Sequence, residues 1–97
     1  MDEKYRIFGN DFVWNAAKAR TNGQVHGVDF EEAASAFLDP LLIVIDTSRN
    51  DESRQAVIGF AQTGRLLYVV HIEFEDDCIR LISARTATAI EEELYAH

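Results

Sequence analysis

The chain has 97 residues, with 17 acids against 9 lysines and arginines and a formal charge of −8; this size gives one domain around one shared core, and the charge disfavours nonspecific binding to polyanions. A hydrophobic share of 47% and a charged share of 27% are ordinary for a soluble globular protein, the longest apolar run (Leu41 to Ile45) is far too short to span a bilayer, and no secretory apolar segment opens the chain, so a cytoplasmic location without membrane contact is expected. A single cysteine, Cys78, excludes an internal disulfide, and with three scattered histidines it makes no zinc pattern.

Residues 1–10 are polar, with Tyr5, Ile7 and Phe8 in imperfect alternation, and read as a loosely ordered lead-in to a single domain over 11–97. Asp11 to Trp14 suggests a short edge strand or the entrance to a helix. Asn15 is a good N-cap for Ala16 to Arg20, which favour helix, and Asn22-Gly23 then weakens or stops it. After the connector His26-Gly27-Val28, Asp29 caps a second helix with Glu32 three residues on, a variant capping box. That helix runs to about Leu38, with Phe30, Ala33, Ala34 and Phe37 spaced along one buried stripe. Asp39-Pro40 ends it, because proline disfavours helix at the residue before it.

Leu41 to Ile45 reads as an apolar strand and 46–53 as a polar loop, after which Arg54 opens a three-stranded meander. Its strands are Ala56 to Phe60, Leu66 to Glu73 and Cys78 to Ala84, each rich in β-prone residues. Gln62 to Arg65 supplies the first turn, with Gly64 free to take a positive φ, and Glu75-Asp76-Asp77 the second. Thr88, with Glu91 three residues on, opens a last helix in which Ile90 and Leu94 pack down and Glu91 to Glu93 face water. The order predicts an α+β domain: two N-terminal helices, an antiparallel four-stranded sheet and a C-terminal helix.

The last hairpin decides which polar groups meet. A two-residue turn at Glu75-Asp76 sets His71 opposite Arg80, with Glu73 nearby. A three-residue turn sets Arg80 opposite Ile72, Ser83 opposite Val69 and Arg85 opposite Leu67. One residue of slip moves every side chain to the other face, so both registers stand. In an unbulged strand Ser83 and Arg85 share one face and Arg80 takes the other.

Arginine, histidine and glutamate together suit phosphodiester chemistry without a metal. Arginine gives bidentate, permanently charged hydrogen bonds to phosphate and to the extra charge that develops at phosphorus. Histidine exchanges a proton near neutral pH, and glutamate accepts one or orients the ring. Arg49, Arg54, Arg65, Arg80 and Arg85 all lie in the C-terminal half, so a local basic site is compatible with an acidic average. Each residue also has a plainer reading: His71 as a half-buried strand residue with a satisfied ring, Arg80 as a surface ion pair, His26 as a capping or packing residue, Trp14 and the phenylalanines as core.

The ordered set Trp14, Ala17-Lys18, Asn22, His26-Gly27-Val28, Phe30-Glu31-Glu32-Ala33, Asp39-Pro40, Arg54, Ile58-Gly59, Gly64-Arg65-Leu66-Leu67 and Ile79-Arg80-Leu81-Ile82-Ser83-Ala84-Arg85 resembles the BrnT family, toxins of bacterial type II toxin–antitoxin systems, over about residues 11–95. The resemblance implies a RelE-like fold, a ribonuclease that uses no cofactor or metal, and neutralisation by a BrnA-like antitoxin with a ribbon-helix-helix part. In such a complex the antitoxin makes the DNA contacts, so no direct DNA binding is expected of this chain. The oligomeric state stays open between a homodimer and a hetero-oligomer with the antitoxin. The polar family positions kept here are Lys18, His26, Glu52, Arg54, Arg80, Ser83 and Arg85. Of these, Arg54, Arg80 and Arg85 are expected to hold phosphate, with His26, or His71 from the hairpin argument, as the proton-transfer residue. Where many members carry a lysine before His-Gly, this chain has Val25, and their basic last helix is replaced by one with Glu91, Glu92 and Glu93. Fewer cations mean weaker RNA binding, so the alternative to a nuclease is a binding module that keeps the scaffold and the partner.

Overall fold

The computed structural model describes residues 1–48, 53–73 and 77–96. Along the chain lie β1 (Asp2–Ile7), β2 (Asn10–Asn15), α1 (Ala16–His26), α2 (Phe30–Ser35) prolonged by a 3₁₀ turn over Ala36–Leu38, β3 (Ile43–Asp46), β4 (Gln55–Phe60), β5 (Leu66–Glu73), β6 (Cys78–Thr86) and α3 (Ala89–Ala96). The strands form a six-stranded sheet in the order β1-β2-β6-β5-β4-β3. Neighbours are antiparallel except β2 and β6, which run parallel through Asp11–Val13 and Cys78–Arg80. The α+β class is as expected, but the four-stranded antiparallel sheet is corrected to a six-stranded mixed one.

The two additional strands are a hairpin at the start. Residues 2–7, read from composition as a loose lead-in, form the edge strand β1, which sets Tyr5 opposite Phe12 and Glu3 opposite Trp14. Its turn is Phe8-Gly9 with φ of 47° and 79°, the two positive values of a type I′ connection. Phenylalanine seldom adopts such a φ, which is why no turn signal is visible in the sequence. Asp2, Glu3, Lys4 and Arg6 on this outer strand discourage pairing with another sheet edge. β2 is therefore internal rather than an edge.

α1 begins as expected: Asn15 accepts a hydrogen bond from Lys18 N at 3.0 Å. It does not stop at Asn22-Gly23 but continues to His26, where Gly27 at φ 68° closes it with an N–H bond to Gly23 O. The reason is tertiary. Asn22 is buried and donates to Ala84 O (2.8 Å) and Val28 O (3.0 Å) while accepting from Ala84 N (3.0 Å). Past the end of its pairing with β2, β6 thus finds its main-chain partner in a helix side chain. Three buried hydrogen bonds at about 1 kcal/mol each outweigh the roughly 1 kcal/mol that Gly23 costs the helix.

The core fills the sheet face under α1 and α2. Phe12, Trp14, Val28, Phe30, Ala33, Ala34, Leu67, Val69, Leu81 and Ala84 are all buried there, and full burial of a side chain such as Phe30 is worth about 1.5–3 kcal/mol. Trp14 meets Phe30 edge to face at 5.6 Å and donates from Nε1 to Glu3 at 3.0 Å. Asp29 caps α2 through Glu32 N at 2.7 Å, as expected. Small residues let helix and sheet approach closely: a Cβ on Gly59 would lie 2.8 Å from Ala36 O, so only glycine fits.

β6 carries the feature that organises the other face. Near the turn, Arg80 stands opposite Ile72 and Leu81 opposite His71, but farther along Ser83 pairs with Val70, Ala84 with Val69 and Arg85 with Tyr68. The register shifts by one between Val70 and His71, so Ile82 is an extra residue, a β-bulge. The three-residue register therefore holds at Arg80, and the bulge overturns its pairings for Ser83 and Arg85. Glu75 and Asp76, to which the turn was assigned, lie outside the described residues.

The last helix is turned over relative to expectation. Ile90 and Leu94 are 72% and 49% exposed, whereas Glu91 binds Arg85 and Tyr95 reaches Asp39 and the ring of Phe60. α3 is held by polar and aromatic contacts, and none of its residues is fully buried.

Candidate functional site

Directly opposed residues point to the same side of a sheet. Tyr68, Val70 and Ile72 alternate along β5 without interruption, so their partners Arg85, Ser83 and Arg80 lie on one face, away from α1 and α2. The bulge at Ile82 brings about this arrangement; in a regular strand Arg80 and Arg85 would point to opposite faces. Four residues of β5 separate their partners, about 13 Å. Arg54 lies immediately before β4, two strands from β6, or about 10 Å. Extending the register of β4 on β5 by one residue places it level with Ile72 and Arg80. Its main chain closes the loop after β3, accepting from Thr47 N at 3.0 Å and donating to Ser48 Oγ at 3.1 Å. Arg49 and Glu52 lie outside the described residues.

Each β6 arginine meets a carboxylate. Arg80 binds Asp2 of β1, with Nη2 at 2.7 Å and Nη1 at 3.4 Å. Arg85 holds Glu91 of α3 in a two-pronged pair at 2.7 and 2.8 Å, and its guanidinium lies 4.2 Å above the centre of the Tyr68 ring. Hydrogen bonds from the arginines are the main reason that Asp2 and Glu91 titrate below the usual carboxylate range, and the arginines are in turn raised. The sequence offers no signal for Asp2. Glu91 was visible as the third residue of a capping box, a role it also fills by accepting from Thr88 N at 2.9 Å.

The two candidate histidines lie elsewhere. His71 stands opposite Leu81 on the core face, is 2% exposed and meets the Phe37 ring edge to face at 4.9 Å. Burial lowers its pKa, which favours the neutral ring. The juxtaposition of His71 with Arg80 allowed by the two-residue turn is therefore overturned: the hairpin puts them on opposite faces. His26 is the last residue of α1 and is exposed. With Lys18, Thr21, Val25 and the bulge residue Ile82 it borders a groove of about 350 Å³ between α1 and β6.

Other residues of the ordered motif set have structural work. Arg65, in the turn before β5, binds Glu32 of α2 through Nε at 2.8 Å and Gly27 O through Nη2 at 2.9 Å. Thr63 joins the same carboxylate. Asp39 accepts from Phe60 N at 2.9 Å and Leu41 N at 2.9 Å, fastening the end of the 3₁₀ turn to β4.

Comparison with known proteins fits this geometry. Residues 14–91 match the family model described as the ribonuclease toxin BrnT of type II toxin–antitoxin systems. The crystal structure of the ribonuclease toxin BrnT of Brucella abortus resembles the fold with a TM-score of 0.62 at 23% identity, covering 77% of this chain and 92% of that one. No curated protein sequence matches. With most of its length inside the family model, the bulged β6 included, the chain belongs to the BrnT family of ribonuclease toxins of type II toxin–antitoxin systems.

Proposed function

We propose that this chain is a toxin that cuts RNA without a metal ion, by attack of a ribose 2′-hydroxyl on the adjacent phosphate, and that a BrnA-like antitoxin neutralises it. Arg80 and Arg85, about 13 Å apart along β6, take oxygens of different phosphates of one RNA strand, the one at the reacting phosphate also taking the charge that grows on it, with Ser83 between as a further hydrogen-bonding group. Arg54, level with Arg80, takes a neighbouring phosphate. Neither candidate histidine joins the arginine face: His26 is exposed at the Lys18 groove beside α1, and His71 is enclosed by core and serves packing. The observation that carries the reading is the one-residue bulge, which gathers Arg80, Ser83 and Arg85 on a single face.

The test is expression in bacteria without a partner, together with RNA cleavage by the purified protein. Growth should slow and RNA should be cut. Arg80→Ala with Arg85→Ala should abolish both while circular dichroism shows the fold intact, and co-expressed antitoxin should restore growth. Full toxicity in the double variant would overturn the assignment of these arginines. One observation favours a second reading, a partner-binding module with little nuclease activity: both arginines are already neutralised by carboxylates. On that reading the wild type is harmless and inactive on RNA but still binds its antitoxin.

A further inference from the structure

We propose that Asp2 and Glu91 occupy the phosphate positions on Arg80 and Arg85, so that the protein masks its own RNA-binding face and RNA must displace them. This rests on the reading of that face as the RNA site. Glu91 fills the guanidinium fork of Arg85 with two oxygens at 2.7 and 2.8 Å, the geometry in which arginine takes two phosphate oxygens. Asp2 does the same for Arg80 less symmetrically, at 2.7 and 3.4 Å.

The masking groups come from elements at the periphery. β1 is the outer strand, joined to the sheet through β2 alone, and α3 buries none of its residues fully. Asp2 remains 46% exposed in its pair. The Arg65–Glu32 pair contrasts most with Arg80–Asp2: its carboxylate is only 7% exposed, with Glu91 between them at 14%, and it joins the first turn of α2 to the turn before β5 and, through Arg65, to Gly27 O. That pair is a clamp, whereas the other two close a face that is open to solvent. Tyr68, beneath Arg85 at 4.2 Å, would hold the guanidinium flat after Glu91 has gone. Because Glu91 also accepts from Thr88 N, its release would loosen the first turn of α3, coupling RNA entry to the helix that displays Ile90 and Leu94.

Asp2→Asn and Glu91→Gln keep the size and shape of each group and remove its charge. The full-length variants are titrated with a short fluorescein-labelled single-stranded oligoribonucleotide by anisotropy, and with inorganic phosphate while the arginine side-chain NMR signals are followed. Each change should tighten RNA binding about fivefold, the effect of deleting one like charge about 4 Å from a phosphate in water. The double variant should gain about 25-fold. The RNA gain should vanish when Arg80→Ala and Arg85→Ala are added, and phosphate should shift the Arg80 and Arg85 signals only in the unmasked protein. A gain that survives loss of the arginines would overturn masking in favour of a plain net-charge effect. Unchanged or weakened phosphate binding would overturn it in favour of a purely structural role for the carboxylates, whatever the RNA result. Tighter phosphate binding without any RNA binding would uphold masking and refute the RNA reading.

Discussion

Asn22 and His71 are both buried polar residues, and they contribute to stability in different ways. Asn22 satisfies both main-chain groups of Ala84 and the carbonyl of Val28. Asn22→Leu leaves these buried groups without partners, so a loss of about 2–4 kcal/mol in urea unfolding is expected. A loss below about 1 kcal/mol would mean that water replaces the amide. His71 acts through its proton. Burial holds its folded pKa below the ordinary value of about 6.5, so the unfolded chain takes up the proton first. Its contribution is fully present above about pH 6.5 and falls away as the pH drops through the folded value. Unfolding midpoints should therefore decline as the pH falls below about 6.5, and His71→Phe should flatten the start of that decline, since the lowered carboxylates Asp2, Glu32 and Glu91 titrate in a more acid range. An unchanged slope in the variant would assign the effect to another group.

Among the elements, β6 makes the sharpest prediction. Deleting Ile82 removes the bulge but keeps every flanking pair, Leu81 with His71 and Ser83 with Val70. Ala84 therefore stays in the core and Arg85 stays on the face of Arg80, and only the local bend and the groove side chain are lost, at about 1–3 kcal/mol. Ile82→Ala keeps the bulge and trims only the groove, and should cost about 1 kcal/mol or less. Similar losses for both would show that the side chain matters and the extra residue does not. The strands of the meander were legible to within a residue or two, because each is a dense apolar run between turn residues. Both helix caps at Asn15 and Asp29 were legible for the same kind of local reason. The bulge was not, since an inserted residue leaves no mark in composition. β1 was hidden by its charges and by a turn built on Phe8. α3 was placed correctly but inverted, because Ile90 and Leu94 look like a core stripe whereas the partners of Glu91 and Tyr95 lie far from them in the chain or across a turn. The candidate arginines were found by resemblance, and the carboxylates facing them could be found only from the folded structure.

At the scale of the whole molecule, a charge of −8 leaves little general attraction for RNA. If only Arg54, Arg80 and Arg85 meet phosphates, the logarithm of the binding constant should fall against the logarithm of salt with a slope no steeper than about −2, at about −0.7 for each phosphate on a single strand. A slope near −4 would reveal a wider basic surface, with Lys18 and its groove the first place to look. The topology has a consequence for synthesis. β2 and α1 leave the ribosome early, yet their sheet partner is β6, and the Asn22–Ala84 bond spans 62 positions. A half-made chain therefore has neither a closed sheet nor Arg80 and Arg85, which arrive with the very strand that completes the architecture. Such long-range closure makes folding slow. On the reading that those arginines hold RNA, a partly made chain does not yet act, and a cognate antitoxin has until the final segment emerges to reach it.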